Sequence, residues 1–154
     1  MEILLKPVNR DNWMTALTLK VLDSQQAFVP SVAVSLAKIY IKPDGDHVEY
    51  IPFAIYKEDQ MVGFIMHAYE EGTSNMYWIN GFLINASEQG KGYGAAALQA
   101  MITWIKNKFP QCNEIRLTVH VDNFIGRQFY TSRGFVTTGE WYGEEEVFKY
   151  DVVR

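Results

Sequence analysis

A glycine-rich turn in the middle of the chain has the residue types that hold an anion. Gly90, Gly92 and Gly94 alternate with Lys91 and Tyr93, after an apolar run and directly before a long helical pattern. Glycine lets a backbone approach a ligand closely, and the free N–H groups of a helix's first turn favour negative charge. The turn therefore predicts a site for a pyrophosphate, although the same glycines could serve only as a tight turn.

Two common phosphate-binding motifs do not fit this turn. A nucleotide P-loop ends in Gly-Lys-Ser or Gly-Lys-Thr, and this ending is missing here. A dinucleotide fingerprint opens a βαβ unit, whereas this turn lies in mid-chain after three strand-like runs. ATP and NAD are therefore poor candidates for the ligand.

A second pattern lies further along the chain. The turn reads Gln89-x-x-Gly92-x-Gly94, and the second pattern reads Asn123-x-x-Gly126-x-x-Phe129-Tyr130-x-x-x-Gly134-Phe135. Together they resemble the signature of the GNAT superfamily of N-acetyltransferases, and the order of elements is similar to that family over nearly the whole chain. The resemblance implies the GNAT fold, acetyl-CoA as cosubstrate and transfer of acetyl to an amine.

The resemblance also implies roles for individual residues. Tyr130 matches the general acid, with a packing role as the alternative, and Asn123 matches a coenzyme contact, with a helix N-cap as the alternative. Gly126 stands where alanine is commoner, which we expect to loosen that helix by about 1 kcal/mol. The segment beside the pantetheine arm, which supplies an N–H toward the thioester oxygen, is Phe82, Leu83 and Ile84. The segment around the pyrophosphate is Gln89, Gly90, Lys91, Gly92, Tyr93, Gly94 and Ala95.

A narrower resemblance bears on the acceptor. The runs 26–29 and 77–79 are similar to bacterial diamine and spermine/spermidine acetyltransferases, which implies a diamine or polyamine substrate. Those relatives tend to carry an aromatic residue and an arginine where this chain has Asn80-Gly81. A second ammonium of a diamine can pair with a carboxylate, and the candidates are Asp23, Glu70 and Glu71. A protein N-terminus or lysine as acceptor, a coenzyme-binding module without turnover, and His120 as a general base stay open.

Apolar periodicity predicts the elements that must position these residues. We expect one domain over residues 1–154 in the order β-α-α-β-β-β-α-β-α-β-β. The first helix is expected from Asp11 or Asn12 to about Leu22, and the strongest helix from Gly94 to Phe109. This order predicts an α+β fold, with a mixed, mostly antiparallel central sheet flanked by helices.

The composition excludes several classes of partner and site. Of the 154 residues, 48% are hydrophobic and 21% are charged, so the chain is expected to fold, and its net charge of −4 disfavours nucleic acid as a partner. Cys112 is the only cysteine, so intrachain disulfides and a cysteine-rich zinc site are excluded. His47 and His67 have no metal-ligand partners at suitable spacing, so we predict no metal site. No apolar run is long enough to cross a bilayer. The cysteine usage predicts a cytoplasmic protein, and the resemblance implies a small-molecule amine as its partner, with a homodimer left open.

Overall fold

The first half of the chain builds four neighbouring antiparallel strands. The computed structural model describes all 154 residues. β1 (Leu4–Pro7), β2 (Val48–Lys57), β3 (Gln60–Glu70) and β4 (Tyr77–Ile84) lie side by side in that order. A two-residue turn joins β2 to β3, and Glu58 in it has the positive φ of 56° that such turns favour. The three strand-like runs before the glycine turn are thus β2, β3 and β4, which form an antiparallel meander.

The second half adds three strands to the same sheet. These are β5 (Glu114–His120), β6 (Val136–Tyr142) and β7 (Glu145–Asp151), and the sheet order is β1-β2-β3-β4-β5-β7-β6. β5 is parallel to β4, and the two strands share one register pair, Trp78 with Arg116, near the start of β4. Beyond that pair the strands separate, so the sheet has a gap between their carboxyl-terminal halves.

Four α-helices and two short 3₁₀ helices connect the strands. The α-helices are α1 (Trp13–Leu17), α2 (Val32–Ile41), α3 (Tyr93–Lys108) and α4 (Phe124–Thr131), and the 3₁₀ helices span Asp23–Phe28 and Ala86–Glu88. The order of strands and α-helices is the predicted one, and the fold class is confirmed. No helix is long and apolar enough to cross a membrane.

The predicted end of the first helix is wrong. Leu22 was the expected end, but α1 ends at Leu17. The Lys20 N–H donates to the Asn85 side chain at 2.9 Å, and the Lys20 carbonyl accepts from the Ala86 N–H at 2.8 Å. Because these backbone groups are used by a distant segment, they are not available to continue the helix.

Two apolar cores cover the two faces of the sheet. On one face α3 buries Leu98, Met101 and Ile105 against the sheet, and on the other α1 and α2 bury Ala16 and Val32. β3 lies between both cores, so its side chains are buried in an unbroken run and not in alternation. The central strands are thus packed on both faces, and the gap between β4 and β5 lies beside them.

Candidate active site

A cavity of about 1160 Å³ occupies the gap between β4 and β5. Its walls include residues 80–84 of β4 and 117–119 of β5. One end is formed by the glycine turn and α4, and the other by α2 and the β6–β7 hairpin. The cavity therefore joins the predicted anion site to the opposite face of the sheet.

The glycine turn forms an open cradle at the start of α3. Gly90 and Gly92 have φ values of +78° and +86°, and Gly92 is the N-cap of α3. A Cβ placed on Gly90 would meet no atom within 4 Å, and one on Gly92 would meet only the end of the Met1 side chain. The first N–H groups of the helix make no backbone hydrogen bond. These groups are unused donors with open space beside them, as an anion requires.

Gln89 and Lys91 are engaged with other residues of the chain. The Gln89 amide donates to the Ile84 carbonyl at 2.9 Å and exchanges two hydrogen bonds with the Gln25 amide. Lys91 lies 3.1 Å from the nearly buried Glu88 carboxylate and does not line the cavity. All the other predicted cofactor-binding residues line it. The Lys91 side chain thus pairs with Glu88 outside the cavity, where it can stabilise the glycine turn.

β4 carries a bulge where it lines the cavity. Asn80 pairs with Met66 and Leu83 with Phe64, so Gly81 and Phe82 together stand opposite one residue of β3. Gly81 has a φ of +59°, a conformation that side chains disfavour. The Asn80-Gly81 departure noted in the sequence therefore coincides with the bulge, and it leaves backbone groups without strand partners beside the cavity.

Asn123 begins α4 as an N-cap. Its Oδ1 accepts a hydrogen bond from the Gly126 N–H at 3.0 Å. A Cβ on Gly126 would lie 2.4 Å from the Asn123 amide nitrogen. Gly126 therefore does more than loosen the helix, because it leaves room for the capping side chain.

Tyr130 lines the cavity from α4. Its half-buried ring packs edge-on against Phe129 and Phe135, with centroid distances of 5.1 and 5.6 Å. Burial raises the pKa of the Tyr130 phenol, and no hydrogen bond or nearby charge opposes this effect. The phenol thus keeps its proton at neutral pH and can donate it to a group in the cavity.

Carboxylates and aromatic rings line the end of the cavity opposite the turn. Of the three predicted carboxylates, Glu70 lines it, whereas Asp23 and Glu71 are exposed outside it. The structure adds Asp44 and Glu145. Glu145 is the first residue of β7, and no sequence pattern singles out Asp44.

The neighbours of these carboxylates come from separate strands. Glu145 accepts a hydrogen bond from Thr118 of β5 at 3.1 Å. The rings of Trp78 and Tyr142 lie 6.5 Å apart and also line this end. Lys38 of α2 lines the same end, so three carboxylates, those of Asp44, Glu70 and Glu145, face one cation there. The excess negative charge and the aromatic faces both attract ammonium groups.

His120 does not line the cavity. Its Nε2 lies 3.1 Å from a Glu144 oxygen, its Nδ1 accepts from the Asp122 N–H, and its ring is 5.3 Å from that of Phe28. Both ring nitrogens are therefore occupied outside the site, and His120 is not placed to act as a base.

The chain matches the model of the Acetyltransferase (GNAT) family over residues 20–135. It belongs to this family. The acetyltransferase is 31% identical to a spermine/spermidine N(1)-acetyltransferase of Bacillus subtilis (strain 168) over 157 residues, covering 97% of this chain and 99% of the relative. Family and relative together make it an acetyl-CoA-dependent N-acetyltransferase.

Solved structures share the fold of the acetyltransferase. The PaiA N-acetyltransferase of Thermoplasma acidophilum, in complex with coenzyme A, has a TM-score of 0.69 at 14% identity and covers 99% of this chain and 100% of its own. A GNAT family acetyltransferase of Elizabethkingia anophelis with acetyl-CoA bound has a TM-score of 0.67 at 12% identity, with coverages of 97% and 98%. Acetyl-CoA is the cosubstrate of the family, and the open glycine cradle fits its negatively charged pyrophosphate.

Proposed function

We propose that this acetyltransferase transfers acetyl from acetyl-CoA to a primary amine of a diamine or polyamine, with Tyr130 as the general acid. The observation that carries the proposal is the acidic and aromatic acceptor end of the cavity, formed by Asp44, Glu70, Glu145, Trp78 and Tyr142. The name of the 31% identical relative, a spermine/spermidine acetyltransferase, supports the same substrate class.

The coenzyme would lie along the turn end of the cavity. Its pyrophosphate would accept hydrogen bonds from the N–H groups of Gly90 to Ala95, where the open space and the unused donors coincide. The pantetheine arm would pass Phe82, Leu83 and Ile84 in the gap between β4 and β5. This placement brings the thioester between Tyr130 and the acceptor end.

The reaction removes two protons from the amine nitrogen and delivers one to the sulfur, and the delivery to sulfur needs a general acid. The ammonium gives a proton to water, its nitrogen attacks the thioester carbon, and the new C–N bond forms as that carbon becomes tetrahedral. When the C–S bond breaks, the sulfur takes the proton of the Tyr130 hydroxyl, and solvent returns a proton to the tyrosine. The nitrogen releases its second proton to water, which leaves the amide and the free thiol.

The acceptor end favours an amine with a second positive charge. The distal ammonium stays charged while the attacking nitrogen is neutral, and it can pair with a carboxylate such as Glu70. An ion pair contributing about 1.4 kcal/mol raises kcat/KM by about tenfold over a monoamine of equal length. The preference should weaken in added salt, because partly exposed pairs are screened.

An amine panel tests the proposal. Spermine, spermidine, short diamines, length-matched monoamines and peptide N-termini are compared by thiol release and product mass at low and high salt. We expect Glu70→Gln to lower the diamine preference about threefold to tenfold, the scale of one partly exposed pair. The matched control is Glu71→Gln, whose side chain is adjacent but outside the cavity. Monoamines or peptides that equal the polyamines at low salt would contradict the proposal.

A further inference from the structure

Ser35 of α2 is buried beneath the β4 bulge, and its hydroxyl has no partner. The residue is 1% exposed, and its Oγ makes no hydrogen bond within the protein. A hydroxyl that is buried without a hydrogen bond destabilises the folded state. Stability of the contact between α2 and β4 therefore does not explain why a serine stands at this position.

The hydroxyl lies against the glycine of the bulge. A Cβ on Gly81 would lie 2.5 Å from the Ser35 Oγ, whereas the next nearest atoms, the Ser35 Cβ and a Phe64 ring carbon, would each be 3.4 Å away. The hydroxyl oxygen alone thus removes the space for a side chain at Gly81. The same glycine has the φ of +59° that the bulge requires.

The bulge sets which way the following backbone faces. One extra residue in β4 places Gly81 and Phe82 opposite a single residue of β3. If the bulge were lost, each following residue of the strand would turn to the opposite face. The backbone beside the cavity at Gly81 and Phe82 would then change direction.

We propose that Ser35 is a positioning residue for acetyl transfer: its hydroxyl fills the space over Gly81 and holds the bulge that presents the backbone of Gly81 and Phe82 to the thioester. Ser35 itself does not line the cavity, so it acts through the strand. The proposal uses the acetyl-transfer reaction and does not depend on which amine is the acceptor.

A double-mutant cycle between Ser35 and Gly81 tests the contact. Single-turnover rates are measured with the best amine of the panel, and acetyl-CoA affinity is measured by calorimetry, which needs no amine. We expect Ser35→Ala to lower the rate about threefold to tenfold while Tm stays equal or rises, because an unpaired hydroxyl is removed. A purely structural role would not slow the reaction while leaving stability intact.

The second part of the cycle tests the steric overlap between the Ser35 hydroxyl and a side chain at position 81. We expect Gly81→Ala to lower the single-turnover rate about 100-fold. Adding Ser35→Ala in the same chain should raise that rate again about tenfold, because the atoms nearest to the new Cβ are then 3.4 Å away. Gly143→Ala is the matched control for stability, since Gly143 also has a φ of +59° but open space around it. Its loss of Tm should match that of the double variant.

Two results would overturn the proposal. One is an equal rate for Gly81→Ala with and without Ser35→Ala, which would show that the hydroxyl does not act on the bulge. The other is a wild-type rate for Ser35→Ala. If Gly81→Ala does not fold, the single-turnover rate and Tm of Ser35→Ala test the proposal by themselves. Failure of the polyamine preference leaves each of these comparisons intact, because all use the same amine.

Discussion

His67 of β3 lies in a buried cluster of aromatic rings and is neutral there. Its ring stacks on Tyr69 and Tyr77 at centroid distances of 5.1 and 6.2 Å. Nδ1 lies 3.0 Å from the Trp78 carbonyl, to which it donates, and Nε2 is buried without a partner. Protonation would place a charge on Nε2 without an acceptor, so burial lowers the pKa of His67 to about 4.

This low pKa predicts a loss of stability in mild acid. The unfolded chain takes up the proton near pH 6.5, whereas the folded chain takes it up near pH 4, so the unfolded state binds more protons between these values. The stability that the neutral His67 contributes is complete above pH 6.5. It is lost progressively as the pH falls from 6.5 through 4. From these two pKa values, His67 alone lowers the free energy of unfolding by about 2 kcal/mol at pH 5 and about 3 kcal/mol at pH 4.

Urea unfolding of wild type and His67→Phe between pH 7 and pH 4 measures this effect. Phenylalanine keeps the stacking but loses the hydrogen bond to Trp78, so we expect the variant to be about 1 kcal/mol less stable at pH 7. Carboxylates titrate alike in both proteins, so the difference between the two curves isolates His67. The wild type should lose about 2 kcal/mol more than the variant by pH 5.

The control for the histidine experiment is His47→Gln, which changes an exposed histidine. Its curve should run parallel to that of the wild type. If the curve of His67→Phe also fell in parallel with the wild type between pH 7 and pH 5, the neutral buried histidine would be refuted.

Three further predictions concern the cavity. Tyr130→Phe should lower kcat about 100-fold with little change in KM, as loss of a positioned acid does; a near-normal single-turnover rate would leave Tyr130 as a packing residue. Gly92→Val should weaken acetyl-CoA binding at least about tenfold in calorimetry, because a side chain would enter the cradle, whereas Gly72→Val, with a similar φ of +84° in an open turn, should bind normally. Gln25→Ala should weaken acetyl-CoA binding about threefold to tenfold, the scale of one hydrogen bond, and the neighbouring Gln26→Ala should not; equal affinities of the two variants would contradict a role for Gln25 in holding the turn.

The elements of the fold were predictable from the sequence because their causes are local. The apolar stripe of α3, the Ser31 cap of α2 and the turn signals between β2, β3 and β4 each act within a few residues. The glycine turn was predictable for the same reason, since a positive φ at Gly90 and Gly92 is a property of the residue itself. The family signature added Tyr130, which lines the cavity.

The tertiary structure alone decided which polar groups are free. Lys20 is hydrogen-bonded to Asn85, 65 residues away, and this contact prevents the first helix from continuing. Gln25 is hydrogen-bonded to Gln89 of the glycine turn, 64 residues away. Glu70 and Glu71 are neighbours in sequence, yet only Glu70 lines the cavity. Hydrogen bonds and burial of this kind depend on residues that folding brings together, and no local pattern records them.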